Sequence, residues 1–150
     1  MNKSPSKQWS RYLGCVVVLV AMAGCGGQSA ESVEKRGESS ENFRVIETAY
    51  RAALAKTNRA PKNREELTEY LPTGTDAEQL FVSPRDDQPF VIIWGTDLTA
   101  LMTNPRPVVY GYEADGADGN RFVLTSMGVM ELTDEDFAAA SFPEGHSPPK

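Results

Sequence analysis

The chain has 150 residues, of which 40% are hydrophobic, with 15 Lys and Arg against 21 Asp and Glu, a net charge of −6, one histidine and two cysteines. An acidic balance of this kind repels phosphate, which argues against nucleic acid as a partner and against a polybasic contact with a membrane. One folded domain is what the length allows.

The N-terminus carries Lys3, Lys7 and Arg11 with no acid, then eleven nearly apolar residues from Leu13 to Ala23. This is the layout of a secretory signal peptide, a charged region followed by an apolar run of ~7–15 residues. A membrane-spanning helix needs about 20 apolar residues, so the segment is too short to span. It ends in Met22-Ala23-Gly24-Cys25, which resembles the bacterial lipobox, although that motif usually has Leu where Met22 stands. The resemblance implies cleavage after residue 24 and a diacylglyceryl thioether on Cys25, with further fatty acylation such as palmitate. Cys15 lies inside the apolar run and leaves with it. Residues 25–150 then keep twelve Lys and Arg against 21 acids, and Cys25 is their only cysteine, so no internal disulfide forms. Gly26 is not the aspartate associated with inner-membrane retention. The expected location is therefore the cell membrane or outer membrane, lipid-anchored and facing the periplasm or exterior.

Gly26 to Ser40 (GGQSAESVEKRGESS) has almost no apolar residue and reads as a flexible tether, residues 25–40, ahead of a globular domain at 41–142 and a loose tail at 143–150. Phe43, Ile46, Tyr50, Ala53 and Leu54 form one stripe of an amphipathic helix, with Ser39 or Ser40 as its cap. Asn63 and Glu66 form a capping-box pattern ahead of Leu67, Tyr70 and Leu71, and Pro72 closes that helix. Thr75 with Glu78 opens one further turn through Phe81. Phe90–Trp94 is β-branched and aromatic, hence a strand. Val108–Tyr112 and Arg121–Ser126 flank the Asp-Gly-rich Ala114–Asn120 and make a hairpin, and Val129–Glu131 adds a short edge. Thr133 caps a brief helix at Phe137–Ala140. The class is α+β: an N-terminal helix packed on an antiparallel sheet of three to four strands.

The order Tyr50, Asn58-Arg59-Ala60-Pro61, Glu65-Glu66-Leu67, Pro89-Phe90-Val91 and then Gly119-Asn120-Arg121-Phe122-Val123-Leu124-Thr125-Ser126-Met127-Gly128 resembles the soluble head of the major pseudopilins of type II secretion. The likeness covers Asn42 to Gly128 and implies that fold. It does not carry over the long apolar filament helix, replaced here by a short cleaved segment, nor the calcium-binding stretch, since Gly128 is followed by Val129-Met130-Glu131.

Few residues offer chemistry. Glu113, Asp115, Asp118 and Asn120 gather oxygen ligands suited to a hard cation such as calcium, yet lack the alternating spacing of a calcium loop. Asp-Gly pairs are equally what a turn requires, and that reading is preferred. Asp86-Asp87 is a carboxylate pair in a turn, and Trp94, Tyr110 and Tyr112 line a groove or a core. His146 lies in a Pro-rich tail with nothing to position it as a base. Within Thr96–Pro107, Leu101 and Met102 are candidates for a partner contact or for covering the sheet. The expected function is a lipid-anchored, non-catalytic envelope protein acting as a protein-binding or assembly module. It needs no cofactor beyond the lipid on Cys25, and its partners are the membrane and another envelope protein. Alternatives are a small exported enzyme using surface carboxylates, or a calcium-stabilised head.

Overall fold

A helix of 28 residues, α1 (Ala30–Thr57), opens the computed structural model, which describes residues 29–148. The Ser29 hydroxyl accepts from the Ser32 N–H at 3.2 Å, so the helix begins here and not at Ser39 or Ser40. The tether expected over Gly26–Ser40 is thus helical from Ala30 onward. The reason is polar: Ser32, Lys35, Arg36 and Ser39 recur at helical spacing and turn toward the body, while Glu31 and Lys35 pair one turn apart at 3.4 Å. Ser39 is fully buried and bonds other segments. Farther along, Phe43, Ile46, Ala49, Tyr50 and Ala53 make the expected apolar stripe, with Leu54 only partly buried at its margin. Asn58 ends the helix in the left-handed region, φ 53°, its N–H donating to Leu54 O at 2.8 Å.

Short helices follow. α2 (Arg64–Thr68) is capped by Asn63, whose Oδ1 accepts from Glu66 N at 2.9 Å. The Glu66 carboxylate reaches back to the Lys62 N–H at 3.1 Å, one residue beyond a capping box. α3 (Ala77–Leu80) is capped by Asp76 and not by Thr75. α4 (Leu98–Leu101) follows Trp94-Gly95, and α5 (Asp134–Ala138) is the last helix of the described residues, capped by Thr133 as the sequence indicates but starting ahead of Phe137.

The four-stranded antiparallel sheet runs β1 (Val91–Ile92), β2 (Val109–Tyr112), β3 (Asn120–Thr125) and β4 (Gly128–Thr133), each strand beside its chain neighbour. β1 is shorter than the expected Phe90–Trp94 because Phe90 N donates to Phe81 O at 2.8 Å, outside the ladder, and Trp94-Gly95 already turn. The register slips between Val109 and Gly111, and the space beside Gly111 is tight: a Cβ there would stand 2.9 Å from Ile92 Cδ1 and 3.2 Å from Leu124 Cβ, so a larger residue would displace the Ile92 methyl. β3 and β4 pair without interruption from Asn120↔Thr133 to Thr125↔Gly128.

Both faces of the sheet are covered. On one, Phe43, Ile46 and Tyr50 of α1 pack with Ile92, Tyr110, Phe122 and Leu124. On the other, Val109, Tyr112 and Val123 meet Phe137, with Phe142 against them. Each such residue taken fully from water contributes about 1.5–3 kcal/mol. The last residues of the expected domain lie along this second face, and His146 of the expected tail reaches it. Val109 N donates to Ser141 O at 2.8 Å, Phe142 lies edge-on to Phe137 at 5.4 Å, and His146 Nε2 sits 3.2 Å from the Tyr112 hydroxyl.

Candidate functional site

The acids named from sequence are separated by the fold. Ala117 and Asn120 exchange backbone hydrogen bonds at 2.8 and 3.0 Å around Asp118 and Gly119, whose φ values are 55° and 72°. Two consecutive left-handed residues are what a tight hairpin turn demands. Asn120 donates its amide to Asp118 O at 3.0 Å. Asp115 donates its N–H to Asp86 Oδ2 at 3.0 Å, and Gly116 N does so at 2.8 Å. Asp86 Oδ1 accepts from Gln88 N, and Asp87 sits at φ 55°. Asp86 therefore fastens two loops, and the Asp86-Asp87 pair does not converge on one point. Among the described residues no group of three or more His, Cys, Asp or Glu side chains is placed to hold a metal. Cys25 lies outside the described residues.

The apolar candidates are separated too. Leu98, just ahead of them, is buried and Leu101 packs against the core, whereas Met102 is 65% exposed. Trp94 is half-buried, 6.3 Å from Phe81, beside an open hollow of about 280 Å³ that it shares with Asp97, Leu101 and Glu144. Tyr110 and Tyr112 take opposite faces of the sheet and belong to its two cores.

Sequence reasoning missed the densest polar assembly in the molecule. Glu113, 0% exposed, follows β2 into the interior. Its Oε1 accepts from the Ser39 hydroxyl at 2.7 Å and the Ser83 hydroxyl at 2.9 Å. Its Oε2 accepts from Arg85 at 2.9 Å and from Phe122 N at 2.8 Å. Arg85 in turn donates to Ala117 O and Asn120 O, and its guanidinium lies over the Phe122 ring at 5.1 Å. Glu131 of β4 stands 3.6 Å from Arg85 through Oε1 and is held by Arg36 of α1 through Oε2. A buried charge needs this degree of pairing. The arrangement joins α1, the Ser83–Arg85 turn, the β2–β3 hairpin and β4. With two donors on each oxygen of Glu113 and no exposure to solvent, it suits fastening and not proton transfer. No local pattern reveals it, because its members come from four separated segments.

A second assembly surrounds the C-terminal end of α1. Arg51, Asn58, Arg59 and Lys62 line an open hollow of about 780 Å³, faced by Gly95, Asp97 and Thr99. Arg51 pairs with Glu47 at 2.8 Å and Arg59 with Glu66 at 2.7 Å. The Arg59 hydrogen bond lowers the pKa of Glu66 and the same bond raises that of Arg59. The buried Tyr50 hydroxyl donates to Thr96 O at 3.0 Å. Burial pushes the Tyr50 phenol up to about 12, and raises the Tyr110 phenol further.

Compared with protein-family models, curated proteins and solved structures, the chain matches none.

Proposed function

We propose that this is a lipid-anchored, non-catalytic cell-envelope protein whose α+β domain, similar to a pseudopilin head, serves as a protein-binding or assembly module. The observation that carries the reading is the N-terminal series of Lys3, Lys7 and Arg11, the apolar Leu13–Ala23 and Met22-Ala23-Gly24-Cys25. Each buried lipid CH₂ contributes about 0.8 kcal/mol, so two or three chains on Cys25 anchor it stably. Among the described residues no helix is long and apolar enough to cross a membrane.

The fold sharpens this reading. Only Gly26, Gly27 and Gln28 separate Cys25 from the cap Ser29. At no more than ~3.6 Å per residue, Ser29 lies within roughly 14 Å of the lipidated residue. The domain stands on α1 as a post, and the long leash read from composition is not required. A long helix followed by antiparallel strands supports the pseudopilin-like reading. Met102, exposed on the surface, is the better candidate of the Leu101–Met102 pair for a partner contact. That the Asp86 carboxylate is spent on the backbone donors of Asp115, Gly116 and Gln88 favours binding over hydrolysis by surface acids.

Cys25→Ser tests the anchor. The variant is expected in the soluble fraction after a high-salt wash, with wild type in the membrane. Equal membrane retention of a processed Cys25→Ser chain would sink the reading.

A further inference from the structure

α1 is one continuous helix, yet its two parts are attached to the body in different ways. From Ser39 onward it buries Ser39, Phe43, Ile46, Ala49, Tyr50 and Ala53. From Ala30 to Glu38 no residue is buried, and the one large apolar side chain there, Val33, is 55% exposed. Among the described residues one side-chain bond ties this segment to another element, that from Arg36 to Glu131 of β4. The Glu31–Lys35 pair and the Ser29–Ser32 cap are local to the first turns of the helix itself.

Gly37 stands at the boundary between the two parts. Glycine weakens a helix interior more than any residue except proline, because fixing its backbone costs the most entropy. Packing does not demand it at this position: a Cβ on Gly37 would meet nothing within 4 Å. Its effect is therefore to loosen the helix just ahead of the first buried residue. Helices shorter than about 12–15 residues are marginal on their own in water, so the segment stays helical through the turns behind it and through Arg36. Beyond the boundary the helix is held fast, since the Ser39 hydroxyl donates to Glu113 at 2.7 Å and Glu113 is paired with Arg85 at 2.9 Å.

We propose that Ala30–Glu38 is a releasable stalk, hinged at Gly37 and latched by Arg36 on Glu131, which opens from helix to extended chain while the rest of the domain stays folded. Opening stops at Ser39, where burial and the bond to Glu113 begin. As a helix the segment spans about 13 Å, at about 1.5 Å per residue. Fully extended, at no more than ~3.6 Å per residue, it reaches about 32 Å. In a chain anchored at Cys25 the latch then sets how far the domain stands from its membrane, a consequence that rests on the anchor proposed above. The opening itself does not depend on the anchor.

Amide hydrogen exchange of the full chain in neutral detergent, read by mass spectrometry of its peptides, tests this. The amides of Glu34–Glu38 should exchange at least about ten-fold faster than those of Ile46–Ala53, because local opening takes far less free energy than opening the core. Arg36→Gln should speed exchange at Glu34–Glu38 about two- to five-fold, the loss of one half-exposed ion pair. Gly37→Ala should slow it about four-fold, the difference in helix propensity. Ile46–Ala53 should be unchanged in both variants, and since neither position is buried, neither variant threatens the fold. Exchange at Glu34–Glu38 less than ten-fold faster than at Ile46–Ala53, or no acceleration in Arg36→Gln, or no slowing in Gly37→Ala, would overturn the proposal. These rates are read with or without the lipid, so their failure is distinct from a failure of the Cys25→Ser test.

Discussion

Removing the charge of Glu113 while keeping its shape probes the polar assembly that joins the layers. In Glu113→Gln one carboxylate oxygen becomes an NH₂: with the amide oxygen turned to Phe122 N, the Ser39 and Ser83 hydroxyls rotate to accept, but Arg85, whose side chain is 6% exposed, loses the negative charge it meets at 2.9 Å. Arg85 keeps the Ala117 and Asn120 carbonyls, but the one carboxylate left near it is Glu131 at 3.6 Å, already committed to Arg36. Breaking a buried pair on one side typically costs about 3–5 kcal/mol, mostly from the charge left without a partner. For a domain of this size the unfolding entropy is about 2.1 cal/mol/K per residue, so the loss corresponds to a fall in Tm of roughly 12–20 °C. Urea unfolding followed by circular dichroism measures it, with the midpoint shifting and the slope unchanged. Arg85→Met in the same background should recover part of the loss, because the stranded cation is then gone, and the two effects should be non-additive by about 1–3 kcal/mol. A Glu113→Gln protein within about 1 kcal/mol of wild type, or strict additivity with Arg85→Met, would refute the view that this pair is a structural fastening.

Two other outcomes follow from packing and burial. Stability should fall as pH rises from 10 to 12: unfolded tyrosines lose their protons near 10, whereas Tyr50 holds its proton to about 12 and Tyr110 longer, so the native state binds more protons throughout that window. Thermal melts alongside phenolate absorbance check this, and a flat profile with early ionisation would contradict it. Leu101→Ser should cost about 1–3 kcal/mol because its side chain packs on the core, while exposed Met102→Ser should stay within about 0.5 kcal/mol, as paired denaturation curves would show.

Apolar periodicity made part of this fold legible before any coordinates. The stripe from Phe43 to Ala53 is buried as its spacing implies, and Asn63 and Thr133 cap the helices they precede. The Asp-Gly-rich link between β2 and β3 is a hairpin turn. The failures share a cause: polar or long-range interactions that local patterns do not encode. The first turns of α1 are held by Ser32, Arg36 and Ser39 and not by apolar residues, so composition made them look like a tether. β1 is cut short by a backbone bond from Phe90 to Phe81. His146 is docked against Tyr112 and Phe142, and Phe142 in turn packs on Phe137. For the candidate sites, Asp115, Asp118 and Asn120 offered oxygens suited to a cation; the turn draws on the Asp115 N–H, the Asp118 carbonyl and the Asn120 amide, contacts that no local pattern encodes. The basic cluster of residues 44–64 is plain in the sequence; that three of its six cations face one hollow depends on the path of the chain after Asn58.

The anchor is the centre of this account, and the mass of the mature N-terminus tests it most directly. Mass spectrometry of the chain extracted from membranes, with N-terminal peptides mapped, should find Cys25 as the first residue, carrying a thioether-linked diacylglyceryl group. A mature chain starting at another residue, or starting at Cys25 with a free thiol, would contradict it.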